Sequence, residues 1–360
     1  MQQSGILPGM IVYVGTYTGP GKAEGIYVYR MDESTGALAH LQTVASIDNP
    51  SFLTLDPQQR CLYAVNETSE GEGQGPGVSA FTVDPQRRTL SLLNRQPAHG
   101  TSPCYVSLNP EGTHVLIANY GDGSLAVYPV QEDGSLGKAS DVIRHQGSSA
   151  HRRQAGPHAH SIRFDPQGRH VLACDLGIDR VFLYRLADGR LTPHELPYAQ
   201  LSSGAGPRHT AFHPSGRFVY VNGEIDSSVS AFIYDPERGA FDLIGAYSTL
   251  PDEFSGNNST AQVLVHPAGR TVYVSNRGHD SIAVFEVDEA RGELRPRGHV
   301  PSGGKTPRNF NIDPSGRFLY AANQSPGNIV VFSVGDDGSL IPTGHVTEVP
   351  VPICVIFGRE

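Results

Sequence analysis

The feature that most constrains this chain is a turn used six times. Asp56-Pro57, Asn109-Pro110, Asp165-Pro166, His213-Pro214, His266-Pro267 and Asp313-Pro314 recur at spacings of 47 to 56 residues, and each follows a short alternating strand. Gly and a basic residue commonly come next, as in Pro214-Ser215-Gly216-Arg217 and Pro314-Ser315-Gly316-Arg317. A second strand such as Phe218-Val219-Tyr220-Val221-Asn222 follows, then a third such as Ile329-Val330-Val331-Phe332-Ser333-Val334, then a fourth. Between the third and fourth lies another turn, with Gly two residues before an apolar side chain: Gly36/Leu38, Gly134/Leu136, Gly189/Leu191, Gly239/Phe241, Gly292/Leu294 and Gly338/Leu340. Arg88/Leu90 is the one copy without Gly, and it makes seven such turns against six Pro turns.

That mismatch dictates the architecture. The chain enters in the second strand of a unit (Ile11-Val12-Tyr13-Val14) and leaves in a first strand (Ile353-Cys354-Val355-Ile356-Phe357), so its two ends must complete one unit together. Four-stranded units of this period, with no sustained 3.6-residue pattern, fit a closed ring of blades and not a helical solenoid. Closure also removes open sheet edges that invite aggregation. The expected fold is all-β: a seven-bladed β-propeller of four-stranded antiparallel blades over residues 10–360, closed by pairing the C-terminal strand with the N-terminal strands, after an N-terminal extension of residues 1–9. Three long connections, Asn66 to Gly77, His145 to Pro157 and Leu250 to Ser259, interrupt the repeat and should gather on one face, where binding surfaces of repeat folds form.

Composition narrows the function. No apolar run approaches the length of a membrane span, and residues Met1 to Met10 lack the pattern of a secretory signal, so a cytoplasmic location and no membrane partner are expected. The formal net charge of -9, with no Lys/Arg-rich run, argues against nucleic acid. Cys61, Cys104, Cys174 and Cys354 are scattered through apolar strands and read as buried reduced thiols. Trp is absent, so the signature of WD-type interaction propellers is absent too. HExxH, GxSxG and GxGxxG all fail, and the His158-x-His160 pair finds no clustered ligands to finish a zinc site. No metal and no cofactor are expected. The sequence leaves the oligomeric state open.

Equivalent positions of a propeller form rings about its axis, so unusual members of a column stand out. Six residues before the turn Pro the column reads Ser51, Cys104, His160, Arg208, Ala261 and Arg308, with Ile353 completing it. A second column, at the end of strand two, reads Tyr17, Glu67, Tyr120, Leu176, Glu224, Arg277 and Gln324 and should reach the same mouth of the channel. An imidazole, a carboxylate and several guanidiniums thus converge at one end. The competing reading is that they form structural ion pairs. His213 and His266, standing where other repeats have Asp or Asn, read as turn residues, and Arg152 and Arg153 as solvated loop residues.

These same segments carry a resemblance. Gly156-Pro157-His158-Ala159-His160-Ser161, Asp175-Leu176-Gly177-Ile178-Asp179-Arg180-Val181, Gly204-Ala205-Gly206-Pro207-Arg208-His209, Asn222-Gly223-Glu224 and Pro307-Arg308-Asn309-Phe310 resemble the propeller-type 6-phosphogluconolactonase family, which is itself similar to the fungal carboxymuconate lactonizing enzyme. The likeness runs from about Ile11 to Phe357, and departs from the family at Gly223, inserted before Glu224, and at Gln262. It implies a lactonase of the pentose phosphate pathway acting on a small anionic sugar lactone. The functional residues implied by the likeness are His160, Arg208, Glu224 and Arg308; taken with the two columns, the expected catalytic residues are His160, Glu224 and Arg208, and the expected substrate-binding residues are Arg308, His158 and Arg277. Either Glu224 or His160 would act as base toward water, His160 as acid toward the leaving oxygen, and Arg208 and Arg308 as holders of the substrate anion and the oxyanion. A cycloisomerase using the same groups, or a non-catalytic interaction platform, remains the alternative.

Overall fold

The computed structural model describes residues 9–358, so all but Gly9 of the expected N-terminal extension lies outside the described residues. They form seven four-stranded antiparallel sheets and no helix. Six blades run inner strand to outer strand in chain order. The seventh takes its inner strand, Pro352–Gly358, from the C-terminus and its other three, Ile11–Thr16, Gly25–Met31 and Leu38–Ala45, from the N-terminus. The closing register pairs Ile11 with Gly358, Val12 with Phe357, Tyr13 with Ile356 and Val14 with Val355.

The apolar alternation of each strand places one row on each face of a blade, and neighbouring blades bury these rows against each other. The core is therefore divided into seven clusters, one per blade interface. In the last of them Phe318, Tyr320 and Val331 pack on Val12, Val14 and Tyr29, joining the two ends of the chain.

The repeated turns bind neighbouring blades. Tyr63, Tyr220, Tyr273 and Tyr320, at one position of strand two, donate their hydroxyls to the carbonyls of Gly134, Gly292, Gly338 and Gly36 at 2.9, 3.3, 2.8 and 2.7 Å. The last of these again closes the ring. Each turn glycine has a positive φ, and Arg88, the copy without Gly, adopts φ 59° at a cost of roughly 1–2 kcal/mol. The Pro turns differ in their own way. Asp56, Asn109, Asp165 and Asp313 accept backbone N–H groups of their own turns. His213 and His266 accept one too, on Nδ1 from the amides of Ser215 and Ala268 at 3.1 Å, and in addition donate Nε2–H to the carbonyls of Gly269 and Gly316 in the next blade, at 3.0 and 2.9 Å. Histidine at these turns is thus an interblade strut as well as a turn residue.

Because Pro352–Gly358 supplies the inner strand of a blade whose other strands lie at the opposite end of the chain, removing the last ten residues would expose a sheet edge and open the core around Val355. Such a truncated protein is expected to lose its cooperative thermal transition. A melt like that of the full chain would contradict this closure.

Candidate active site

All three long connections lie at the end of the ring where inner strands begin and second strands finish, opposite the Pro turns. What aims side chains at the axis there is an irregularity of the inner strand. In six blades its pairing with strand two is interrupted at the start: one residue is skipped between Pro103 and Tyr105, Ala159 and Ser161, Pro307 and Asn309, and Pro352 and Cys354, and two between Pro207 and Thr210 and between Thr260 and Val263. A bulge leaves its extra residue unpaired and re-aims its side chain. The first residue skipped in each is Cys104, His160, Arg208, Ala261, Arg308 or Ile353, which are six of the seven members of the first column, and His209 and Gln262 are skipped beside Arg208 and Ala261.

Ser51, Cys104, His160, Arg208, Arg308 and Ile353 accordingly line a small axial cavity with Phe52, Glu67, His209 and Asn309. Phe52 and Tyr105 stack at 4.1 Å between ring centres and meet His209 edge-on at 5.8 and 5.2 Å, packing aromatic rings against it. A larger open cleft of about 760 Å3 lies by the Pro turns of two adjacent blades, but its lining includes Asp56, Glu111, Glu132 and Asp133 with Arg60 as its one cation. Such a surface repels anions and holds none of the column residues.

Glu224, 4% exposed, is the hub of the mouth. Its Oε2 receives Arg208 Nε at 2.9 Å and Arg277 Nη2 at 3.0 Å, and has His160 Nε2 at 3.8 Å; Arg153 binds Oε1. Burial pushes this carboxyl up, yet Arg277, Arg208, His160 and Arg153 together outweigh burial and hold it well below the usual carboxylate range. Arg208 also reaches the carbonyl of Ala261, and Arg277 that of Thr260 at 2.7 Å. Burial and then the charge of Arg277 lower Arg208 to about 9.

Across the cavity a second cluster forms. Tyr17 donates its hydroxyl to Glu67 Oε1 at 2.8 Å, and Arg308 lies 5.3 Å over the Tyr17 ring with Nη2 4.0 Å from Glu67. Although burial opposes it, the neighbouring Tyr17, Glu67 and Glu224 keep Arg308 firmly charged. His160 sits between the clusters, with Nδ1 3.7 Å from Cys104 Sγ. Burial, followed by the field of Arg208, pushes it well below the ordinary histidine range, so the ring is neutral. His209 is neutral for the same two reasons, and donates Nδ1–H to Gln262 Oε1 at 2.6 Å while Nε2 accepts from Arg208 at 3.2 Å.

The structure thus gathers His160, Arg208, Glu224, Arg277 and Arg308. His158 stands at the rim: it stacks on Tyr120 at 4.6 Å and donates Nδ1–H to the Tyr120 carbonyl at 2.8 Å, away from Glu224. Among the described residues no three His, Cys, Asp or Glu side chains are grouped to hold a metal, and the carboxylates at the mouth are occupied by guanidiniums.

Two participants were not evident from sequence. His209 follows a column residue, and strict alternation would turn it from the axis; the bulge removes that alternation. Arg153, expected in solvent, reaches Glu224 and the Tyr120 hydroxyl at 3.2 Å. Its loop is not loose. His145 donates Nδ1–H to Asp175 at 2.7 Å and accepts from Tyr184 at 2.9 Å, while fully buried Gln154 binds the Leu176 carbonyl at 2.8 Å and Asp179 at 2.7 Å. Asp179 also receives Ser149 and the amides of Gly204 and Gly206. A side chain on Gly177 would collide with the Gly156 carbonyl. The Asp175-Leu176-Gly177-Ile178-Asp179 segment therefore staples the strap that delivers Arg153.

With seven blades, a bulge-built axial ring and an Arg-gripped carboxylate in hand, the comparison with known proteins is decisive. Residues 11–357 match the family model described as lactonase, 7-bladed beta-propeller, and the chain belongs to that family. It is 42% identical to a 6-phosphogluconolactonase of Bacillus subtilis (strain 168), over 96% of this chain and 98% of that one. A crystal structure described as a putative 6-phosphogluconolactonase of Bacteroides fragilis superposes with TM-score 0.92 at 34% identity, covering 99% and 100% of the two chains. The periplasmic gluconolactonase of Pseudomonas aeruginosa superposes with TM-score 0.91, also at 34% identity, covering 97% and 98%.

Buried neutral histidines have a measurable consequence. In the unfolded chain a histidine takes up a proton below about pH 6.5, whereas His160 and His209 in the fold do not. The unfolded state then binds more protons, so stability falls as pH drops below that value, by up to about 1.4 kcal/mol per pH unit for each such group. Glu224, held low, adds a loss in the same direction only at more acid pH. The melting temperature is expected to drop between pH 7.5 and 5.5, and to drop less in His209→Gln. Equal drops in the two proteins would contradict the assignment of His209 as a buried neutral ring.

Proposed function

We propose that the protein hydrolyses a small anionic sugar lactone, 6-phosphogluconolactone to 6-phosphogluconate, in the cytoplasm and without a metal. One observation carries the anionic preference. Among the described residues the ion pairs of Arg153, Arg208, Arg277 and Arg308 at the mouth are with Glu67 and Glu224, which leaves an excess of two positive charges there in a chain of formal charge -9. The names of the Bacillus and Bacteroides relatives support the same substrate, and four unpaired cysteines accord with a reducing compartment.

In this reading Arg308, 20% exposed at its side chain, holds the phosphate of the substrate, and Arg208 takes the lactone carbonyl oxygen. His160, neutral and buried, accepts a proton from water as the water oxygen adds to the carbonyl carbon. The oxyanion that forms lies in the field of Arg208. Collapse of the tetrahedral species breaks the ring C–O bond, and the imidazolium returns its proton to the departing oxygen. Between the two candidate bases the geometry favours His160. A carboxylate held by three guanidiniums has little affinity for a proton, so Glu224 orients Arg153, Arg208 and Arg277. An incoming anion also offsets the positive field that depresses His160, which makes the imidazole a stronger base once substrate is bound.

Kinetics of variants test the division of labour. Arg308→Ala is expected to cut kcat/KM for the phosphorylated lactone by at least about tenfold more than for its neutral counterpart. His160→Gln should lower kcat on both by roughly 10²–10⁴, and treatment with EDTA should leave activity unchanged. Full activity of both variants on every lactone, with folding intact, would return the cluster to a structural role.

A further inference from the structure

The axial cavity contains a carboxylate for which the scheme above has no use. Glu67, at the end of a second strand, lines the cavity, whereas Glu224 lies outside its wall behind Arg208. The free space admits the centre of a water-sized sphere over about 10 Å3, which is the room one water requires. Ser51 Oγ adds an independent pointer: the residue is 4% exposed, lines the same cavity, and its hydroxyl has no hydrogen-bond partner among the described residues. A buried hydroxyl left without a partner costs roughly 1–3 kcal/mol, and a water in this space removes that cost.

We infer that the axial cavity is the seat of the hydrolytic water, and that Glu67 is a further catalytic residue holding this water between its carboxylate and His160. The inference rests on the lactonase reading above. Water has two protons to place. One points to the lone pair of His160, and the other to Glu67, whose other strong partner is the Tyr17 hydroxyl at 2.8 Å. Ser51 donates from the side. So held, the water oxygen turns a lone pair toward a lactone lying across the mouth. As its bond to the carbonyl carbon forms, the C=O pair moves onto oxygen beside Arg208 and one water proton passes to His160. The second proton stays on the new hydroxyl, still bound to Glu67. Breaking the ring C–O bond then consumes the proton on His160, and the hydroxy acid leaves with no other reactant required. Tyr17, which touches Glu67 and not the water, is a positioning residue.

Steady-state kinetics with 6-phosphogluconolactone, together with calorimetric binding of 6-phosphogluconate, separate this role from a structural one. Glu67→Gln, which keeps the shape but not the charge, should lose about a hundredfold or more in kcat while KM and product affinity stay within about threefold. Ser51→Val, which fills the water space with methyl groups, should lose kcat in the same selective way. Tyr17→Phe should show a smaller loss. A high-resolution crystal structure of the wild-type protein should show one ordered water within about 3.2 Å of both Glu67 and Ser51. Either Glu67→Gln or Ser51→Val retaining wild-type kcat, a loss confined to KM and product binding, or no water at that place would overturn the inference and leave the lactonase reading standing. Should the wild-type protein hydrolyse no lactone, the reading and the inference fall together. Where a variant fails to fold, the water position decides.

Discussion

Everything at the mouth depends on the start of the inner strand, where in six blades one or two unpaired residues are freed from the sheet. A regular strand would send Arg208 and His209 to opposite faces of the blade. The bulge between Pro207 and Thr210 frees both, and Arg208 Nη1 lies 3.2 Å from His209 Nε2 as a result. Ring closure makes this local device effective. Each bulged residue meets others only because Pro352–Gly358 pairs with Ile11–Thr16 and Tyr320 grips Gly36 across the same seam. The seven interblade cores supply the rigidity that holds these side chains in place against their mutual repulsion.

Electrostatics then decides which groups can do chemistry. Three guanidiniums share one carboxylate at Glu224, an arrangement that fixes the cations but leaves their total charge uncompensated. Burying such charge is costly without partners, and the backbone carbonyls of Ala261 and Thr260 supply part of the compensation. Burial, reinforced by this excess charge, keeps His160 deprotonated, and the same excess favours an anionic substrate. Arg153 extends the same field outward from a strap that is stapled, by His145 and Gln154, to a blade turn.

Much of this was legible in the sequence because a propeller repeats its own reference. Aligning six turns was enough to expose His160, Arg208 and Arg308 as departures from a column of small and apolar residues, and to place Glu67 and Glu224 at the ends of second strands. The count of seven blades followed from seven turns between third and fourth strands, six with Gly and one with Arg88, against six Pro turns. Bulges have no comparable signal, and strict alternation hid His209. Arg153 was hidden for another reason. Its loop is polar and outside the repeat, and its course is set by Asp175 and Asp179, residues distant in sequence whose acceptor roles show only in three dimensions. The turn histidines His213 and His266 were assigned to their turns, but their bonds to the next blade could not be read from a single repeat.

The central claim is that this net-positive axial ring hydrolyses a lactone and selects it by charge. Measuring wild-type kcat/KM above the spontaneous rate for 6-phosphogluconolactone and for unphosphorylated gluconolactone, at low and at high ionic strength, tests that claim most directly. The account predicts a preference for the phosphorylated lactone that shrinks as salt screens the guanidiniums. Equal rates on the two lactones at every ionic strength, or no rate above the spontaneous one, would contradict it.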